Sequence, residues 1–421
     1  MKKLIAPLVA LLMAPACGGE REQAPGPQSP VGPPSEGAAE TPPATTETPT
    51  VEPTPAPPAA KVSKTDLVQD TVRSLISAFN AHDARRIASL YTPDAVVAGV
   101  GSTGWIEASG RTVIETSYGQ LFTAFPDVKW ASPRVHVTQD AAIQEWALTG
   151  THQGELGGMA PTQRTAGVHG AAVYFFDDEG RIRRQHTYYD ALAMSAQLGT
   201  YKGKGRAAAT LPTGDTQFMT ATGSTAEGLW LDAARTYYNA YETRDEKALN
   251  ALLAADATHT SYLLPDDRKG NKAVAEDFRG FLRAFPDIDI ETKNMWGFGP
   301  HVITESVITT KKAGAWAGAK ATQKPATLHV LDVLHFSDEG KLASIVTYGS
   351  PLELMVQSGQ ETKGVHPWLP AGRGTGQGTT PGQSPMPGQY PMPGQSPTPG
   401  QYPMPGQNPM PGQGGSSPMT P

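Results

Sequence analysis

Apolar residues along this chain follow two rhythms, and the change from one to the other happens twice. Val68, Val72, Leu75, Ile76 and Phe79 return at steps of three and four, which predicts a helix with one buried face. Ser63 and Asp66 stand three apart at its start, the spacing of a capping box. A short helix over 84–91 follows, stopped by Thr92-Pro93, and a third carries Ile114, Tyr118, Leu121, Phe122 and Phe125. After Phe125-Pro126-Asp127 the pattern turns β-rich, with runs at 134–138, 141–152, 167–176 and 181–189. Asp177-Asp178-Glu179-Gly180 supplies the turn between the last two. Helices first and an antiparallel meander afterwards predict an α+β fold, three helices packed on a curved, mostly antiparallel sheet. Such a cone offers its mouth or interior to a small molecule.

The pattern is then repeated. Ala124-Phe125-Pro126-Asp127 recurs as Ala284-Phe285-Pro286-Asp287, and the same offset of 160 pairs His169 with His329 and Thr187-Tyr188 with Thr347-Tyr348. Upstream the offset is 162, pairing Asp83 with Asp245. Trp230, Ala234, Tyr237 and Tyr241 mark the second copy's first helix, and 246–253 its second. Val274, Phe278, Phe281, Leu282 and Phe285 mark its third. Two tandem domains are therefore expected at 63–201 and 225–361, joined by a Gly/Ala/Thr-rich linker over 202–224.

Composition sets off the flanks. Of 39 prolines, fourteen fall in residues 1–62 and fifteen in 363–421, leaving ten for the middle. Residues 18–62 read as a disordered Pro/Thr/Glu-rich spacer, reaching up to about 140 Å if extended as polyproline II. Residues 362–421 read as a disordered tail, with Pro-Gly-Gln recurring every six residues from Pro381. The net charge of −6, with no basic run denser than Arg181, Arg183 and Arg184, excludes a nucleic-acid footprint. Cys17 is the single cysteine, so no intramolecular disulfide and no thiolate zinc site can form. Lys2 and Lys3, an apolar run over 4–13 and Ala14-Pro15-Ala16 precede it. This start resembles a bacterial lipoprotein signal, which implies acylation of Cys17 and a place in the cell envelope. Gly18, rather than an inner-membrane retaining Asp, points by the same resemblance to the outer membrane, facing the periplasm or the surface.

The first copy carries a family resemblance in Gly150-Thr151-His152-Gln153-Gly154, Gly158, Pro161-Thr162, Arg164, Gly180-Arg181-Ile182, Tyr188-Tyr189-Asp190 and Gln197-Leu198-Gly199. These are similar to the SnoaL-like polyketide cyclase and ester cyclase branch of the nuclear transport factor 2-like superfamily. Gln163 and His186 depart from it, standing where the family usually has Gly and Trp. The resemblance implies that Asp190 is the acid/base of an intramolecular ring closure, needing neither metal nor cofactor. Strand parity sets His186, Tyr188 and Asp190 on one face. Asp190, His186 and His152 are the catalytic candidates. Tyr188, Trp146, His169, Thr162 and Arg164 are the ligand-binding ones. Asp190 also suits the N-cap of a helix over 191–198. His152, His169 and His186 recur seventeen apart, which suggests a metal triad, but they are taken as pocket and core histidines. The second copy has Lys312, Val346 and Ser350 where the first has His152, His186 and Asp190, so its site is expected to be degenerate. It is then expected to serve as partner surface in an internal pseudo-dimer of a monomeric chain. The alternative is a binding or structural module without turnover.

Overall fold

Ser63 opens helix α1 (Lys64–Asn80), its Oγ accepting from the Asp66 backbone N–H at 3.1 Å. This satisfies one donor that the first turn leaves unpaired. The computed structural model describes residues 62–101 and 104–360, with 362 and 365. Cys17, the proline-rich segment and the Pro-Gly-Gln tail lie outside the described residues. The first copy continues through α2 (Ala84–Ser89), β1 (Tyr91–Gly101), β2 (Gly104–Ser109) and α3 (Arg111–Ala124). It closes with β3 (Lys129–Val137), β4 (Ala141–Thr151), β5 (Thr165–Phe176), β6 (Ile182–Tyr189) and α4 (Ala191–Gln197). The linker contributes β7 (Gln217–Thr220). The second copy has α5 (Thr225–Glu242), α6 (Glu246–Leu252), β8 (Leu253–Ser261), β9 (Arg268–Lys269) and α7 (Asn271–Ala284). It ends with β10 (Asp289–Phe298), β11 (His301–Thr310), β12 (Ala326–Phe336), β13 (Leu342–Tyr348) and α8 (Pro351–Gln357).

The sheets run β2-β1-β6-β5-β4-β3-β7 and β10-β11-β12-β13-β8-β9. Registers repeat with the sequence offset: Val97 lies beside Gln185 and His259 beside Ile345, while Ile143 faces Val173 and Ile303 faces Val333. The duplicated Phe-Pro-Asp earns its place twice. Phe125 and Phe285 are buried, and the Asp carboxylates receive the backbone N–H of Thr151 (2.7 Å) and Lys311 (3.0 Å) at the ends of β4 and β11.

Two elements depart from the sequence reading. Strand β1 starts where Thr92-Pro93 suggested only a stop. Its pairing with β6 skips from Tyr91 to Val96, so Pro93 falls in a bulge where no ladder donor is required. The linker is not a bare connection either, since β7 pairs in parallel with β3 and covers that edge of the first sheet.

One face of each sheet takes the helices, and the other two faces meet. On the helix side of the first copy, Val68, Val72, Leu75 and Phe79 join Tyr91, Tyr118 and Tyr174 in the core. On the opposite side Ala141, Ile143, Ala171, Val173 and Tyr188 form one apolar cluster with Trp296, Phe298, Ile303, Leu331, Val333 and Tyr348 of the second. Tyr188 Oη donates to Glu305 at 2.8 Å, and Tyr348 Oη donates to Glu145 at 3.0 Å. Tyr188 corresponds to Tyr348 and Glu145 to Glu305, so the contacts are reciprocal.

Candidate functional site

The second copy's cone holds a cavity of about 60 Å³. One water needs roughly 10–15 Å³ on this measure, so the space admits a compact molecule. Helix α5 turns Tyr237, Tyr238 and Tyr241 toward it, and α7 presents Asp277 and Phe281 one turn apart. Strand alternation does the rest: His259 and Ser261 share a face of β8, and Leu328, Val330 and Asp332 share a face of β12. Trp316, from the loop after β11, completes the wall.

A chain of polar groups runs along this wall. Asp332 accepts from Tyr238 Oη at 2.8 Å on one oxygen and from Thr347 Oγ1 at 2.5 Å on the other. Tyr238 Oη also meets Thr304 Oγ1. His259 Nε2 lies 3.1 Å from Thr347 Oγ1, and its Nδ1 lies 3.4 Å from Asp277, whose other oxygen takes the Arg268 Nε–H at 2.9 Å. Burial pushes the Asp332 carboxyl above its ordinary value, and the hydrogen bonds from Thr347 and Tyr238 pull it only part of the way back. Burial likewise holds the Tyr238 phenol in its protonated form. Asp332 is thus a carboxyl able to exchange a proton, beside a hydroxyl that can donate to a developing negative charge.

The corresponding space in the first copy is filled. Trp146 is buried against Gly170, where a side chain as small as a methyl would collide with the indole. Ser306 and Val330 occupy those two positions in the second copy. Asp332, Asp277 and His259 correspond to Ala172, Ser117 and Val97. The polar groups inside the first cone are already paired, Tyr91 Oη with Gln185 at 2.5 Å and Tyr174 Oη with Gln144 at 2.9 Å. Cavity and titratable groups coincide in the second copy, at positions other than Lys312, Val346 and Ser350. Comparing residues 152, 186 and 190 with their counterparts missed this, because those residues do not line the cone.

His186 and Tyr188 do share a face, but it is the one between the sheets. His186 Nδ1 lies 2.8 Å from Glu305, the same carboxylate that takes the Tyr188 hydroxyl. Burial would raise Glu305, yet His186 and the hydrogen bonds from His186, Tyr188 and Asn294 hold it below its ordinary value. His169 also faces the second copy, stacked 5.1 Å from Tyr262. Asp190 caps α4, accepting from Leu192 N at 2.9 Å, and burial pushes its carboxyl up to about 7. His152 lies in the β4–β5 loop, 5.2 Å from the Phe125 ring, with Nδ1 accepting from Thr162 N at 3.1 Å. Arg164 is exposed beside Gly199. The structure brings His186 and Tyr188 together and pairs His152 with Thr162, but gathers none of the first-copy candidates around a common cavity among those described. Of the residues missed, Asp332 was visible in principle: a charged residue inside the otherwise apolar run 330–334 is uncommon in a buried strand.

Tandem cones of helices on a mostly antiparallel sheet make this an α+β protein of nuclear transport factor 2-like architecture. The chain belongs to the SnoaL-like polyketide cyclase family, whose model matches residues 69–198 and again 231–358, together more than half its length. Among solved structures, AclR from Streptomyces galilaeus, a proposed hydroxylase, is 20% identical over 32% of this chain and 89% of its own, with a TM-score of 0.29. IdmH from Streptomyces antibioticus, a proposed polyketide cyclase, is 29% identical over 31% of this chain and 97% of its own, with a TM-score of 0.27. An LEH-like epoxide hydrolase from M. tuberculosis is 16% identical over 32% and 88%, with a TM-score of 0.26. No curated protein matches the chain in sequence.

Proposed function

We propose that the second copy binds a small, largely apolar molecule in its cone and exchanges a proton with it through Asp332. The first copy, in this reading, is its internal dimer partner, bracing the second sheet from behind. The observation that carries the proposal is Asp332 itself, a buried carboxyl on a cavity wall, tied to Tyr238 and, through Thr347, to His259 and Asp277. In its ionised form, a carboxyl raised by burial can take a proton from carbon beside a carbonyl and return it to another atom of the same molecule. Tyr238 would donate to the negative oxygen in between. The residues act without a nucleophile, and no bond to the protein forms.

The test is a metabolite pull-down from the native source with the unmodified protein, Asp332→Asn and Asp190→Asn. A compound retained by the unmodified protein and Asp190→Asn, and lost or left unconverted by Asp332→Asn, is the expected result. Identical profiles from all three would sink the proposal. The proposal includes an address, a lipid anchor on Cys17 holding the domains in the outer envelope through the proline-rich spacer. Incorporation of labelled fatty acid should disappear in Cys17→Ser, and persistence of label there would refute the anchor.

A further inference from the structure

Asp332 is nearly out of contact with solvent, and among the described residues no cation lies within ion-pair distance of it. Arg268, the guanidinium nearest the network, is engaged by Asp277 instead. A buried carboxylate without a cation carries a large desolvation cost, which a proton or a cationic ligand can remove. Five phenyl, phenol and indole rings line the same cavity: Tyr237, Tyr238, Tyr241, Phe281 and Trp316. Their counterparts in the first copy are Leu75, Ile76, Phe79, Leu121 and Leu156, so four of these positions are aliphatic there. Phe281 and Trp316 meet edge to face at 5.1 Å, which sets their faces in different directions around the space. Leucine would fill a purely apolar pocket as well. What aromatic rings add is a negative face that attracts cations, Trp and Tyr more strongly than any aliphatic group.

Within one chain, then, the open cavity that carries these rings is the one that carries Asp332 and Asp277. We propose that the molecule bound in the second cone is a small organic cation, an ammonium with an apolar shell, its charge facing Asp332 and its alkyl groups against the rings. This rests on the reading of that cone as the small-molecule site and adds the ligand's chemical class. The cation replaces the proton on Asp332, leaving a carboxylate able to accept a proton from the bound molecule.

The experiment compares two probes of equal heavy-atom count on the full chain, tetramethylammonium and the uncharged tert-butanol, by ligand-observed NMR titration. Tetramethylammonium is expected to bind at least tenfold more tightly. Asp332→Asn should erase that preference and leave tert-butanol unchanged, and Val330→Trp, which fills the cavity, should abolish both. Equal affinity for the two probes, or a preference that survives in Asp332→Asn, overturns the cation and leaves a neutral small-molecule site standing. Binding of neither probe, or binding undiminished in Val330→Trp, overturns the cation and the cavity together. The comparison of the two probes on the unmodified protein does not depend on any variant folding.

Discussion

Mild acid should loosen the seam between the two sheets, and His136 should account for a definable share of the loss. His136 lies on β3, fully buried, its ring 5.0 Å from Phe298 and 5.7 Å from His301 of the second copy. Burial first, and then the charges of His301 and Arg134, push it down to about 3. The sign follows from linkage. Between pH 6.5 and about 3 the unfolded ring binds a proton that the native ring refuses, so stability falls as pH falls through that window. At about 1.36 kcal/mol per unit, the loss from this one ring is close to zero at pH 7.5 and about 2 kcal/mol at pH 5. Urea unfolding of the full chain and of His136→Phe at both pH values isolates it. The unmodified protein should lose about 2 kcal/mol more than the variant on moving to pH 5. His301, pushed down to about 4 and partly exposed, titrates in both proteins and cancels in the difference. Equal losses in the two would mean that His136 is hydrated or charged in the native protein, which would refute its burial as a neutral ring.

Trp146→Ser should open in the first cone the space that the second already has. The expected cost is roughly 3–5 kcal/mol in denaturant unfolding, with no effect on small-molecule binding at the second cone; a neutral result would show that Trp146 is not what fills the first. Asp190→Asn keeps an N-cap of equal quality while removing a buried acid raised to about 7. Because the native acid binds its proton more tightly than the unfolded one, the unmodified protein loses stability as pH rises from 4 through 7. The variant should therefore be the more stable of the two at pH 8 and lose that advantage by pH 5, read as a crossing of thermal midpoints. Curves that run parallel would remove the buried charge from the account.

The duplication and the helical stripes were legible because each rests on spacing alone. Val68, Val72, Leu75 and Phe79 had to share a face whatever packed on it, and they do. Strand β1 was not legible, since Pro93 and the glycines at 99 and 101 carry turn chemistry inside a segment whose pairing only a distant strand, β6, can supply. Parity told correctly that His186 and Tyr188 point the same way, yet parity has two solutions. Which face meets helices and which meets the other sheet is decided by tertiary packing. His186, Tyr188 and His169 fell on the sheet-to-sheet side, where polar atoms must be paired across the seam, and they pair with or stack on Glu305 and Tyr262.

The same packing bears on why the two interiors differ. Both sheets need their helix-free faces apolar and matched, so Ile143 and Val173 are answered by Ile303 and Val333, and the seam constrains the two copies alike. Each interior is filled or left open by a few side chains of its own copy, although α8 of the second copy also packs on β1 and β2 of the first. Trp146 against Gly170 closes one interior, and Ser306 with Val330 leaves the other open. A carboxyl is tolerable only in the open one, where Tyr238 and Thr347 reach it and a ligand can complete its partners. In the closed cone, Ala172 holds the same position between a paired Gln144 and the apolar core, with Ile76 where the second copy has the donor Tyr238. Introducing an aspartate there should therefore unfold the first copy rather than create a second site.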